Sequence, residues 1–345
     1  MAATGDLLVH TAVATRARRY GARTGAAYDF RPMLAPVQAM LTAADLAVCH
    51  LETPLSPDDR HISGYPTFST PHELAAAIRA AGYDSCSTAS NHAMDQGARG
   101  VAATLRALDR VGVGHSGTAR SAAEAARREL HVVNGVKVGL LAYTYGLNGG
   151  DILPAGQPWL IDFISRRRIL ADARATRRAG AQFVAVSLHW GNQYQVAPTA
   201  RQRALARTLL ASPDIDLLIG SHVHVVQPVE RIGDKYVLYG LGNFLSNQSA
   251  RCCPAATQDG VIALVDVRQR GDRFVAARVR YTPTWVEPGS YRVLPVAAAL
   301  DDPAAPAARR VALTASWRRT VAAVGLLGSR ASSARPDREP RSITP

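Results

Sequence analysis

The segment Leu217–Gln227, LLIGSHVHVVQ, begins as a buried strand and ends in two histidines one residue apart. Asp216-Leu217-Leu218-Ile219 is apolar enough to lie inside a sheet. Gly220 then predicts a turn out of it, because glycine tolerates backbone angles closed to other residues. Residues two apart on an extended chain point the same way, so His222 and His224 are expected to face one site. A lone histidine at a strand end is ordinarily a packed core residue. A His-x-His pair at the mouth of an apolar strand is a stronger metal-ligand pattern.

Outward from this segment, apolar runs of about 4–8 residues alternate with stretches of helical period, the pattern of an α/β protein. Strands are expected at Leu46–Leu51, Ser85–Ala89, Val136–Tyr143, Phe183–Leu188, Leu217–Ile219 and Tyr236–Tyr239. Helices are expected at Pro71–Ala81, Gly97–Val111, Ser121–Glu129, Arg166–Ala179 and Thr199–Ala211, with Gly82 and Gly180 as stops and Ser121/Glu124 as a capping box. After residue 255, Val261–Val267 and Phe274–Pro283 read as a hairpin joined by RQRGDR. The main domain is expected over residues 1–300. Residues 301–345 turn Ala/Pro/Arg-rich and predict a helix over Thr314–Leu327 and a disordered tail, Ser329–Pro345.

The 345 residues are 47% hydrophobic and 19% charged, enough for a sizeable core. The net charge is +13, and Lys137 and Lys235 are the sole lysines. The scattered arginines fit a GC-rich coding bias, or attraction to an anionic partner through the summed field. They come with no nucleic-acid-binding signature, so nucleic acid is not an expected partner. Cys49 and Cys86 read as small core residues, and Cys252-Cys253 as a loop pair; the spacing predicts neither a disulfide framework nor a zinc site. No apolar run reaches the ~18 residues of a membrane span, and no signal peptide shows at the start.

Each expected strand ends in residues that chemistry can use. ATGDLLVH supplies Asp6; LAVCHLETP supplies His50 and Glu52; DSCSTASNHAMDQG supplies Asn91, His92 and Asp95; FVAVSLHWGN supplies His189. In open α/β sheets, ligands bind beyond the carboxyl ends of the strands. Singly, each has a structural reading: Gly-Asp as a turn, Asn91 or Asp95 as a helix cap, His189 as a packed ring. Together with His222 and His224 they form a mixed N/O donor set suited to Mn²⁺, Fe or Zn²⁺. An acidic residue within it can bridge two metals about 3.5–4 Å apart.

In order, Gly5-Asp6, Leu51-Glu52, Ser90-Asn91-His92 with Asp95, His189-Trp190-Gly191, His222-Val223-His224 and Gly242-Asn243-Phe244 resemble the CapA family of poly-γ-glutamate capsule synthesis proteins, within the calcineurin-like metallophosphoesterases. GYPTFSTP, Gly64 to Pro71, adds to the match. The resemblance runs from about Gly5 to Asp266 and implies a four-layer α/β/β/α sandwich holding one or two divalent transition metal ions. It implies Asp6 and His224 on one metal, Asn91, His189 and His222 on the other, and Glu52 between them. His92 would be the proton donor, oriented by Asp95; His50, Gln193, Gln227 and Asn243 would stand behind the ligands. Three departures are visible. His50 replaces the usual asparagine, Gln193 replaces a frequent glutamate, and Asp6 has His10 four residues on rather than a histidine two on.

Since only four residues precede Gly5, either the natural start lies upstream or the first strand is short. Relatives are commonly exported or membrane-anchored. The expected function is metal-dependent, phosphoesterase-like hydrolysis in capsule or poly-γ-glutamate biosynthesis, acting on an anionic small molecule or a polymer such as poly-γ-glutamate. The alternatives are hydrolysis or transfer at γ-glutamyl amides, and a non-catalytic polyanion-binding accessory role in envelope assembly.

Overall fold

The computed structural model describes residues 1–149, 153–328 and 334–340. In chain order the strands are β1 (Ala2–Leu7), β2 (Ala47–Leu51), β3 (Ser85–Ser87), β4 (Gly114–Ser116), β5 (Glu129–Val133), β6 (Val136–Thr144), β7 (Phe183–His189), β8 (Leu217–Ser221), β9 (Val229–Ile232), β10 (Lys235–Leu238), β11 (Asn243–Leu245), β12 (Asp259–Arg270), β13 (Arg273–Val286), β14 (Val293–Pro295) and β15 (Arg335–Pro336). The helices are α1 (Thr11–Gly21), α2 (Arg31–Leu34), α3 (Gln38–Thr42), α4 (Glu73–Ala81), α5 (Gly97–Arg110), α6 (Ala122–Ala126), α7 (Arg166–Arg178), α8 (Ala200–Leu210), α9 (Val296–Leu300) and α10 (Ala307–Val324).

Two sheets form. One runs β14-β13-β12-β1-β2-β3-β4, with β11 beside β1 and β15 beside β13; the other runs β5-β6-β7-β8-β10-β9. β1 to β4 are mutually parallel, as are β6, β7, β8 and β10. Side-chain alternation then sorts the layers. On β2, Val48 faces the other sheet while Ala47, Cys49 and Leu51 face α1 to α4. On β7, Phe183 and Ala185 enter the inter-sheet core, while Val184, Val186 and Leu188 pack with α7 and α8. The result is the expected four-layer α/β/β/α sandwich.

The capping logic mostly holds. Ser121 Oγ accepts the Glu124 N–H, and Thr199 with Gln202 makes a full reciprocal box at α8. The helix expected over Ser121–Glu129 stops at Ala126, however, because β-branched Val132 and Val133 go into β5. Asn134 (φ 49°) and Gly135 (φ 80°) turn that strand back into β6, a hairpin signal missing from the expectations. The expected 261–283 hairpin extends in both directions, to β12 and β13. The short first strand is β1, six buried residues between β2 and β12.

Three expectations are corrected. Cys49 and Cys86 are not merely small core residues: they stand opposite in the β2–β3 register, Cα atoms 4.5 Å apart, joined by a disulfide. Parallel pairing across a crossover brings them together, which a separation of 37 residues does not announce. The expected C-terminal helix begins earlier, at Ala307, and Leu313 and Trp317 pack on Trp285 and Leu294. Of the tail expected to be disordered, Arg335–Pro336 pairs with β13 and Asp337 N–H donates to the Tyr281 carbonyl at 2.8 Å. Residues 329–333 and 341–345 lie outside the described residues. No helix among the described residues is long and apolar enough to cross a membrane.

Gly220 is needed for a different reason than expected. It stays within β8, and a Cβ there would meet the Tyr239 carbonyl oxygen at 1.8 Å and Trp190 Nε1 at 2.6 Å, where Trp190 donates to that same carbonyl. Gly220→Ala is expected to cost about 3 kcal/mol, the upper end of overpacking penalties, read as a lowered urea midpoint. An unchanged midpoint would mean that this crowding relaxes freely.

Candidate metal centre

The carboxyl ends of β1, β2, β3, β7 and β8 converge between the sheets. Asp6 lies near the end of β1, Glu52 directly follows β2, Asn91 and His92 follow β3, and His189 ends β7. His222 and His224 follow β8 but not as extended chain. Their φ angles are 90° and 58°, so both occupy left-handed backbone that non-glycine residues rarely adopt. This turn, rather than strand alternation, aims both rings at the cluster. Such strain concentrates at functional sites.

Two donor groups result, Asp6–Glu52–His224 and Glu52–His189–His222, each with ligand atoms within 4.8 Å of one another. Glu52 is common to both and is 0% exposed, yet neither of its carboxylate oxygens has a hydrogen-bond partner. His222 Nδ1 is likewise buried and unpartnered. Buried polar atoms left unpaired are costly, and a cation between them satisfies all three. A third group, Asp59–His72–Glu73, is half-buried at the start of α4, where Asp59 Oδ1 also accepts the His72 N–H at 3.0 Å.

Supporting bonds orient the donors. His189 Nε2 lies 2.8 Å from Asn91 Oδ1, and its Nδ1 is 3.1 Å from Ser221 Oγ. His224 Nδ1 lies 3.0 Å from Asp6 Oδ2 and 3.1 Å from Asn243 Oδ1. Asn243 Nδ2 donates to Gln248 Oε1 and the Thr257 carbonyl, which turns its oxygen towards His224. His50 Nδ1 pairs with Ser87 Oγ at 2.8 Å, and its Nε2 is buried without a partner, the ring 4.8 Å from that of His189. His50 stands outside both donor groups.

Burial pushes the Glu52 carboxyl up to about 8 and holds the His222 ring down at about 3 and His50 at about 4. His189 is driven well below the usual range, by burial first and by the neighbouring His222 second. His224 moves the other way, to about 9: burial opposes its charge, but Glu52 and Asp6 together outweigh that. Neutral His189 and His222 are in the ligating form. Neutral imidazoles, carboxylates and an amide oxygen fit a divalent metal ion.

Beside the cluster, His92 Nδ1 bonds Asp95 Oδ2 at 2.9 Å, and the same oxygen accepts the Phe68 N–H at 2.6 Å. The His92 ring packs edge-on against Phe68.

Two residues expected behind the ligands do not touch them. Gln193 is exposed and its side chain makes no hydrogen bond among the described residues, because Gly191 (φ 92°) turns the chain outward after Trp190. Gln227 is buried, but it accepts from Gln202 Nε2 and donates to the Gln195 carbonyl, tying the loop after β7 to α8. Conversely, Tyr145 was missed. It is exposed at the end of β6, with its ring 4.6 Å from His222 and stacked 6.2 Å from His189. The strand-end rule that selected the other residues applies to Thr144-Tyr145 as well.

Carboxylates and imidazoles gathered at parallel strand ends between two sheets define a candidate metal centre in a four-layer α/β/β/α sandwich. The model of the family described as bacterial capsule synthesis protein PGA_cap matches residues 1–248, and the chain belongs to that family. It is 27% identical over 311 residues to the capsule biosynthesis protein CapA of Bacillus anthracis, covering 87% of this chain and 70% of that one. It is also 27% identical to the PGA biosynthesis protein CapA of Bacillus subtilis, covering 68% of this chain and 61% of the relative. Among solved structures, a putative 5'-nucleotidase from Staphylococcus aureus aligns at TM-score 0.49 and 16% identity, over 84% of this chain and 54% of that one.

Proposed function

We propose that this protein is a metal-dependent hydrolase of capsule assembly, with two divalent ions of Mn, Fe or Zn in the two donor groups. The observation that carries the reading is Glu52, fully buried, with no hydrogen bond to either carboxylate oxygen, and shared by both groups. When bound, such ions polarise a phosphoryl or carbonyl oxygen and make water nucleophilic at neutral pH. The chain's residues supply the rest. Asp6, Glu52, Asn91, His189, His222 and His224 would hold the ions, and His92 Nε2 delivers a proton to the leaving oxygen. Asp95 fixes the His92 ring through Nδ1 and so sets which nitrogen carries the proton to be given. Tyr145 covers His189 and His222 on the solvent side.

The favoured substrate is an anionic phosphoester. A second reading, cleavage at a γ-glutamyl amide, is supported by the printed name of the B. subtilis relative, a PGA biosynthesis protein. The same proposal places the protein in an oxidising compartment, outside the cytoplasm. Its support is the Cys49–Cys86 bond, since such bonds are rare where thiols are kept reduced. Elemental analysis of the purified protein, followed by assay of p-nitrophenyl phosphate and of poly-γ-glutamate, tests the function. Two metal equivalents with ester turnover that a chelator abolishes are expected. Release of glutamate without ester turnover would shift the assignment to the amide, and a metal-free, inactive protein would end both.

A further inference from the structure

Next to the metal centre lies a cleft of 690 Å³ lined by His10, Thr15, Arg16, Arg19, Tyr65 and Asn247, among others. A second, of 540 Å³, shares Ala12, Asn247, Gly289 and Tyr291 with it and adds Arg251. They form one groove. No aspartate or glutamate lines either part among the described residues. Arg16 and Arg19 lie on one face of α1, and neither they nor Arg251 has a carboxylate partner among the described residues. Other arginines are tied up by a neighbouring carboxylate, as Arg319 is by Asp259 and Arg177 by Asp216; these three combine freedom from such a partner with a shared groove that no described acidic residue lines. The first turn of α1 carries no acidic residue, so its positive end adds to the same field.

The groove reaches the centre by two routes. At one end the His10 ring lies 5.2 Å from Phe68, which lies 4.7 Å from His92. In the second cleft, Gln248 accepts from Asn243, which in turn contacts His224 Nδ1.

We propose that this groove is an extended subsite for a chain-like polyanion, with Arg16, Arg19 and Arg251 holding negative groups beyond the one that reacts. The proposal rests on the metal centre being the reacting end. Unpaired, solvent-reached guanidinium groups bind carboxylates or phosphates without first breaking an ion pair, and in fork geometry. A small ester fills the centre alone and leaves the groove empty.

The test measures equilibrium binding of fluorescent poly-γ-glutamate and of polyphosphate of similar length, at low and high salt. Parent protein is compared with the double variants Arg16→Ala/Arg19→Ala and Arg16→Lys/Arg19→Lys. The alanine pair is expected to weaken binding at least tenfold and to flatten its salt dependence, while the lysine pair retains most of it. The kcat/KM for p-nitrophenyl phosphate should stay within twofold in both. Preference for either polymer identifies the anion and supports the groove. Unchanged affinity in the alanine pair would overturn it. Absence of ester turnover in the parent would count against the hydrolase reading alone, because the affinity comparison stands without it.

Discussion

Glu52→Gln is expected to strip the protein of metal, lowering its content to below a tenth of the parent's and abolishing hydrolysis. Glu52 is the residue both donor groups share, so its loss empties both where loss of His222 or His224 empties one. The variant also separates a metal ligand from a merely buried acid. In metal-free parent protein, Glu52 is a carboxyl with no bond to either oxygen, raised to about 8 by burial. That arrangement destabilises the apo fold, and the neutral amide relieves part of the cost. Metal-free Glu52→Gln is therefore expected to melt at or above the temperature of metal-free parent. Added metal should stabilise only the parent, by about 2.7 kcal/mol at a hundredfold excess over Kd. Elemental analysis and paired melting curves, with and without chelator, read both effects. Parent-level metal in the variant would remove Glu52 from the centre.

His92→Ala is expected to lower kcat by about 10²–10⁴, the range of a lost general acid, while metal content stays at the parent level. The loss should depend on the leaving group: small for an aryl phosphate, whose phenolate departs unaided, and large for an alkyl ester, whose alkoxide needs the proton. A purely structural histidine would depress both alike. Asp95→Asn should give a smaller loss with the same leaving-group trend, since Asp95 acts through the His92 ring and also anchors Phe68. Equal losses on both substrates would assign His92 to packing against Phe68.

Much of this centre was legible in the sequence because its residues sit at strand ends, and strands are legible from local apolar runs. Glu52, Asn91, His189, His222 and His224 each follow such a run, Asp6 was found from its Gly-Asp pattern alone, and all six lie in or bonded to the two donor groups. Errors fell where position depends on another part of the chain. Gln193 sits three residues past Trp190, but one left-handed glycine sends it to solvent. Tyr145 was missed because the exposed end of β6 becomes part of the centre only when β6 pairs with β7.

The chain by itself determined the alternation of its main strands and helices, most of the donors at the strand ends and the N-terminal cap of α6, because those follow from apolar periodicity and from bonds within a few residues. Only the tertiary structure decided that Cys49 meets Cys86, that Gly220 serves a crowded strand crossing rather than a turn, and that His222 and His224 reach their partners through left-handed backbone. Register between distant strands and the stacking of one sheet on another set those contacts, and neither is encoded in any single stretch of residues.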